Sequence, residues 1–445
     1  MRVAWQRVST KRSRFLVDWD RLGLVAVRHT KWILAGYIFL ATMLIYPVRW
    51  DPDRHLAQSG LESLQLGSSL AFTGNYSDPF LPLSTGPSAH LAPGYPALVA
   101  VVIKLFGAGP TGYFALSWLT KIVLAFQLAL LPFLADYLGL LPVTGAIAAG
   151  AWVVAHIPII LWENDLAGLI IVVLAFPMYK AFRIRLSKTE IVVTGLLWGI
   201  LLLLTPVPLL VLWTWLLALL LFGPQLKRHL MVLAVIPVLV IVPWLVRNYL
   251  VFRQPIFLRD NLGLELAVSN NPCAQFSLEL NQGLDGCFAR NHPNESFIEA
   301  LRVKAMGEPA YNKARLHEAF TWIHGNPSRF LALTAERFAA FWAPSVMDRS
   351  PGSADNYRPD WILDAFTVLS IPGLLLTWRK NRYAAVVLGL WLLCFPPAYY
   401  LIQFDARYRH PILWATLLPG AYLLTILIST ATEKAIRGRN IAGEQ

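Results

Sequence analysis

Charge is what this sequence has least of. Asp, Glu, Lys and Arg make up 14% of its 445 residues, against about one quarter in an ordinary soluble protein. That deficit excludes a soluble enzyme, a disordered chain and a nucleic-acid-binding protein, although the pI is near 9.7. Cysteine is scarce as well. There are three, with no CxxC pattern and no His/Cys grouping, so nothing points to a zinc or dithiol centre. The apolar runs hold almost no ionisable residue, Lys121 being the main exception. An ion-coupled transporter would carry carboxylates or His at that depth. Internal repeats and low-complexity tracts are missing too. So is a Gly-rich α/β segment, which takes the weight from Asp51-Pro-Asp53 as a nucleotide-sugar DxD motif.

What is abundant is apolar length. Hydrophobic residues make up 56% of the chain, and mean hydropathy is +0.52. Ten runs of spanning character lie at about 32–48, 113–135, 141–161, 165–179, 191–205, 207–222, 230–246, 361–377, 383–402 and 411–430. The expected fold class is therefore an all-α polytopic membrane protein with about ten transmembrane helices. A further apolar segment, 91–106, is short and begins at two prolines, so it reads as interfacial or re-entrant. The first 31 residues carry eight Lys/Arg, and no small-residue cleavage site follows, so the segment reads as a cytoplasmic end and not as a cleaved signal.

Charge decides the topology. With 91–106 outside the bilayer core, the clusters Lys180/Arg183/Arg185/Lys188, Lys227/Arg228, Arg379/Lys380/Arg382 and Lys434/Arg437/Arg439 all fall on the side of the N-terminus. The cytoplasmic segments then hold 20 Lys/Arg against six Asp/Glu, and the rest 18 against 20. That is the positive-inside pattern, and the +12 net charge needs no nucleic-acid partner. Three modules follow: an N-terminal transmembrane module (1–246) with an external loop at 49–112, an external region at 247–360, and a C-terminal transmembrane module (361–445). The external region is expected to be helical near 295–342, and loop or short strands over 261–294. Cys273 and Cys287 both fall in it and are candidates to pair in an oxidising compartment.

The ionisable residues gather at the external ends of the runs. Asp51, Asp53, Glu62 and His90 belong to the first loop, Glu163 and Asp165 to the second. Arg247 follows one run, and Arg407 and Arg409 precede the last. A carboxylate can take the proton of an attacking hydroxyl. An arginine can hold and neutralise a leaving phosphate. Each residue alone is an ordinary solvated anchor, and the joint placement carries the reading.

Four segments then resemble one family. His90-Leu91-Ala92-Pro93-Gly94-Tyr95-Pro96 with the ALVAVVIKLFG that follows looks like the PPGYP segment of bacterial GT-C glycosyltransferases, with Ala92 in place of the first proline. This is the glycosyltransferase family 39-like group, related to protein O-mannosyltransferases and lipid A aminoarabinose transferases. Glu62 to Gly74 resembles the family's amphipathic first-loop helix. PWLVRNYLVFRQPIFL (Pro243 to Leu258) with SNNP (Ser269 to Pro272) resembles the junction into the external region. Asp405-Ala-Arg407-Tyr408-Arg409-His410-Pro411-Ile412 is similar to the family's entrance to a late span.

The resemblance implies a membrane glycosyltransferase that uses a polyprenyl-phosphate-linked sugar. The sugar would pass to a glycan, lipid or protein acceptor on the outer face of a bacterial inner membrane. A first-loop acid would serve as base, a second-loop acid would assist it, and basic groups would bind the donor phosphate. The family's first-loop Asp position falls on Ser59 here, which leaves Asp53, Asp51 and Glu62 as candidates in that order, with Glu163 and Asp165 in the second loop. His90, Arg247, Arg407 and Arg409 are the phosphate-binding candidates. Arg407 and Arg409 are spaced i, i+2 and would share a face if their segment is extended. Carboxylates of this kind suit Mg²⁺ or Mn²⁺, though no ligand spacing is diagnostic. Two other readings stay open: a lipid-linked glycan polymerase or ligase with a pyrophosphate-linked donor, and a lipid or glycan flippase.

Overall fold

A computed structural model of the chain describes residues 19–58, 61–81, 83–155, 161–282, 286–347 and 361–442. Ser59 lies outside them. Every regular element among the described residues is helical. Six helical stretches are long and apolar enough to cross a membrane: Pro110–Tyr137, Asn164–Arg183, Lys227–Phe252, Trp361–Lys380, Arg382–Tyr400 and Ala406–Thr432. The fold is thus that of a polytopic membrane protein. Four further apolar helical stretches are shorter: His29–Ile45, Gly94–Phe106, Pro142–Val154 and Leu209–Phe222.

In chain order the first half holds α1 (Trp19–Ile45), α2 (Glu62–Thr73), α3 (Gly94–Phe106), α4 (Pro110–Ala129), α5 (Leu131–Tyr137), α6 (Pro142–Val154), α7 (Asn164–Arg183), α8 (Lys188–Leu204), α9 (Leu209–Phe222) and α10 (Lys227–Phe252). The 13 residues of α3 make a rod of about 20 Å at 1.5 Å per residue. That is short of the ~30 Å hydrocarbon core. Instead α3 lies along α2, the helix predicted at the start of the first loop. The approach is close because Gly67 has no side chain: a Cβ there would sit 2.5 Å from Val99 Cγ1 and 2.9 Å from the Pro96 carbonyl. Gly94, in the motif that opens α3, plays the same part toward α8, where a Cβ would meet the Leu203 carbonyl at 2.7 Å.

The polar region between α10 and the late helices folds as α11 (Leu262–Ser269), α12 (Leu278–Asn281), α13 (Cys287–Asn291), α14 (Phe297–Met306), α15 (Glu308–Gly325), α16 (Pro327–Trp342) and α17 (Pro344–Met347). The helical stretch near 295–342 is found as α14 to α16. The segment 261–294 differs from the expected loop or strands, since it holds three short helices and contributes only an isolated bridge, Ser277 to Phe404. Burial explains this: Leu264 and Val268 of α11 enter a small core with Phe288, Val303 and Tyr311. Phe80 of the first loop is part of that core, so the loop and the polar region fold onto each other. Cys273 and Cys287 are joined as a disulfide between α11 and α13.

The C-terminal helices are α18 (Trp361–Lys380), α19 (Arg382–Cys394) and α20 (Leu413–Ala442). Between α19 and α20 the chain leaves the bundle and meets the polar region. Arg337 of α16 is the hinge-pin of that meeting. Its guanidinium is fully buried and donates to Asn270 Oδ1 (3.1 Å), the Leu401 carbonyl (3.0 Å) and the Ser269 carbonyl. Ser269 Oγ in turn accepts from Gln403 N–H at 2.8 Å, and Asn270 Nδ2 donates to the Leu401 carbonyl at 3.0 Å. Burial lowers the Arg337 pKa to about 10, which leaves it charged at neutral pH.

The α2–α3 approach yields a stability prediction. Gly67→Ala forces the two helices apart and should cost about 1–3 kcal/mol. Gly36→Ala, in α1 with nothing within 4 Å of the added Cβ, should be neutral or slightly stabilising. Thermal unfolding of the two variants in detergent checks this; equal midpoints would remove the close-approach account.

Candidate functional site

The first loop is clipped to the polar region along residues 88–90. Glu308, at the start of α15, accepts from Ala89 N–H at 2.6 Å, and Asp260 N–H donates to the Ala89 carbonyl at 2.7 Å. Arg247 of α10 donates to the Ser88 carbonyl at 2.6 Å and the Tyr76 carbonyl at 2.8 Å. Tyr76 OH then donates to the Leu91 carbonyl at 2.9 Å, inside the motif that precedes α3. These bonds settle where His90 and the start of α3 lie.

Beside this clip is a crevice. A cavity of about 350 Å³ is lined by Glu62, His90, Trp162, Glu265, His292, Arg407 and their neighbours. A smaller space of about 50 Å³ adjoins it through Trp162, Glu265, Arg407 and Tyr408, and adds Glu163 and Arg259. Residues from the first loop, the second loop, the polar region and the last span therefore meet at one place. Arg407 stacks over the Trp162 ring at 4.3 Å and pairs with Asp405 at 3.2 Å. Its carbonyl accepts from Asn164 Nδ2 at 2.8 Å, which ties it to the start of α7.

Burial sets the electrostatics. Glu62 is pushed up to about 7, mainly by desolvation, against the lowering influence of its own backbone amide, Arg407 and Asn294. Desolvation raises Glu163 and Glu265 as well, opposed by Arg259 and Arg407. His90 is driven down to about 3 by burial and by Arg259, so it is neutral at neutral pH. The crevice thus holds weakly acidic carboxyl groups beside guanidinium groups, which suits proton acceptance next to an anion.

Several predicted residues lie elsewhere. Asp51 and Asp53 sit in an exposed turn around Pro52, where Asp51 pairs with Arg54 at 3.4 Å and accepts from Asp53 N–H at 3.0 Å. Neither lines the crevice. Arg409 does not share a face with Arg407. Residues 406–412 form a 3₁₀ helix instead of an extended segment, and two residues at three per turn point to different sides. Arg409 is buried and donates to the carbonyls of Phe341 (3.1 Å) and Trp342 (3.3 Å) and to Thr367 Oγ1 (2.6 Å). The expected shared face is not formed, and of the two arginines Arg407 lines the crevice. Arg247 lines a separate cavity with Asn75, Tyr76 and Ser77, and its donors serve two backbone carbonyls and Asn248 Oδ1. His90 lines the crevice, but as a neutral group and not as a charge for phosphate. Asp165 is buried one residue inside α7 with Oδ2 unpartnered, and it does not line the crevice.

Arg259, Glu265, His292 and Glu308 were not expected. All four come from the polar region and reach the loop only through tertiary folding. Arg259 follows the PWLVRNY junction, the one local signal that pointed near it. Among the described residues, no three His, Cys, Asp or Glu side chains converge as a ready-made metal site.

The fold is GT-C-like, as in the solved structures it is similar to. The chain is similar to the archaeal oligosaccharyltransferase AglB from Archaeoglobus fulgidus, solved in complex with an inhibitory peptide and a dolichol-phosphate, with a TM-score of 0.51 and 12% identity over 93% of this chain and 52% of that one. The apo form of the same Archaeoglobus fulgidus enzyme gives 0.50 and 13% identity over 92% of this chain and 52% of that one. ArnT from Cupriavidus metallidurans, bound to undecaprenyl phosphate, is matched at 0.37 and 14% identity, over 88% of this chain and 77% of that one. The chain spans about half the length of the oligosaccharyltransferase structures it matches. No protein-family model matches it, and no curated protein sequence does.

The clip yields a pH prediction. Burial lifts Glu308 to about 8 from an ordinary 4.5. The folded protein then keeps a proton that the unfolded chain releases above about pH 4.5. Stability from this group is complete below that pH and is lost as pH rises through about 8. Glu308→Gln should therefore flatten the fall in melting temperature between pH 5 and pH 9. An unchanged slope in a folded variant would show that Glu308 is already ionised.

Proposed function

We propose that this chain is an integral-membrane glycosyltransferase that moves a sugar from a polyprenyl-phosphate-linked donor to an acceptor hydroxyl or amine. The observation that carries the reading is the meeting of Glu62 and Arg407 across one cavity of about 350 Å³, in a chain with a GT-C-like fold. In the proposed step Glu62 takes the acceptor proton as the acceptor oxygen bonds to the anomeric carbon. The bond from that carbon to the phosphate oxygen breaks, with inversion. The polyprenyl phosphate leaves with both bonding electrons, against Arg407 and Arg259. Glu163 and Glu265 stand beside the two arginines and tune their field. Catalysis rests on positioning, base strength and stabilisation of the leaving anion.

The cavity lies at the small end of ligand sites, which run about 300–1,000 Å³. That favours one sugar on one phosphate over a long oligosaccharide. The positive-inside pattern supports a crevice on the external face with both termini cytoplasmic. Ten crossings remain the proposed topology, with 13-residue α6, 17-residue α8 and 14-residue α9 as short spans and the equally short α3 set apart by its packing along α2 and by the charge pattern. A bacterial inner membrane and a cell-envelope acceptor complete the reading.

Purified protein in lipid with radiolabelled polyprenyl-phosphate sugars tests it. Glu62→Gln should lower turnover about 100-fold or more. Arg407→Ala should weaken donor binding about tenfold or more at an unchanged melting temperature. Arg409→Ala should do the reverse, losing stability while the folded fraction binds donor normally. Turnover only with pyrophosphate-linked oligosaccharide would replace this reading with the polymerase or ligase one.

A further inference from the structure

Glu62 opens α2 in the first loop, yet it is held by the polar region. Its Oε1 accepts from the Asn294 side-chain amide and lies 3.7 Å from His292 Nε2. Its Oε2 takes no side-chain hydrogen bond among the described residues. His292 is buried and stacks face to face on Phe288, with ring centres 4.2 Å apart. Phe80 meets the same ring edge-on at 5.8 Å. The imidazole therefore has one orientation.

Its tautomer is also set. The backbone N–H of Asn294 donates to His292 Nδ1 at 3.2 Å. A nitrogen that accepts carries no proton, so the proton of the neutral ring is on Nε2. Nε2 is the nitrogen that faces Glu62. The charged and titratable groups around the pair are Arg407 and Glu265 on the Glu62 side, and His90 and Arg315 on the His292 side. Burial first, then His90 and Arg315, hold the His292 pKa well below its ordinary value, so it stays a neutral donor.

We propose that His292 and Asn294 are positioning residues for Glu62: the Asn294 amide donates to Oε1, the Nε2–H dipole of His292 faces the same oxygen at 3.7 Å, both favour the carboxylate form, and Oε2 is left without a side-chain donor to meet the acceptor proton. The inference rests on the reading of Glu62 as the base. It also gives the polar region a part in the chemistry, because the loop carboxylate is a competent base only when that region is docked on it.

An infrared pH titration of the full chain in lipid vesicles tests this without any substrate. The Glu62 carboxyl band is assigned by difference against Glu62→Gln. The wild-type midpoint should lie at about 7. Asn294→Ala should raise it by about one pH unit, the loss of one donor to the anion, and His292→Leu should raise it by a smaller amount, the loss of an N–H dipole that faces the anion. His292→Gln retains an N–H and an acceptor and should leave the midpoint in place. The acid limb of turnover with a polyprenyl-phosphate sugar should move with the midpoint. A midpoint that stays or falls in the folded His292→Leu variant overturns the proposal, even if Asn294→Ala does not fold. Full turnover in Glu62→Gln would instead overturn the base assignment, and the infrared midpoints would still decide the positioning.

Discussion

One buried guanidinium holds the site together. Arg337 makes no ion pair among the described residues, and its two terminal nitrogens donate to oxygens of Asn270, Ser269 and Leu401. A desolvated cation is stable only when its donors are spent on such oxygens. The oxygens belong to two distant parts of the chain: the end of α11 and the segment that runs from α19 into the last span. By drawing them together, Arg337 fixes the stretch that continues through Gln403 and Asp405 to Arg407. Asp405 then accepts from Arg407 N–H at 2.9 Å and starts the 3₁₀ turn that turns Arg407 and Arg409 to different sides.

The same logic applies on the loop side. Residues 88–90 are an irregular segment with buried polar groups, and such a segment persists only where each amide and carbonyl finds a partner. Glu308, Asp260 and Arg247 provide those partners from the polar region and from α10. The crevice is therefore an interface between two folding units. Its carboxylates come from the loops and from α11, and its guanidinium groups from the polar region and the last span. That origin accounts for the raised pKa values of Glu62, Glu163 and Glu265: docking removes water from groups that each loop alone would leave solvated.

A family resemblance pointed to α2 and to the motif that opens α3, and local pattern to the helical stretch from α14 to α16 and to Glu62, Glu163 and Arg407 as charged residues at span ends. It failed where geometry depends on partners far along the chain. Asp53 looked better than Glu62 because spacing to the helix was the only guide, whereas Pro52 turns that segment out to solvent. Arg409 looked like the twin of Arg407 because an extended backbone was assumed. Arg259, Glu265 and His292 carry no short-range signature and become site residues only when Phe80 enters the core of the polar region. The span count is the other gap. Apolar runs near 141–161 and 207–222 contain helices of 13 and 14 residues, shorter than the runs that suggested them, and the run near 191–205 a helix of 17.

The central claim is that a lipid-linked phosphate belongs at the junction of Arg407 and Arg259, with Glu62 across the cavity. The most direct measurement is a structure of the full chain in lipid with polyprenyl phosphate bound. The account predicts the phosphate within hydrogen-bonding distance of both guanidinium groups. A phosphate seated instead in the cavity of Arg247, Tyr76 and Ser77, with the Arg407 crevice empty, would contradict it.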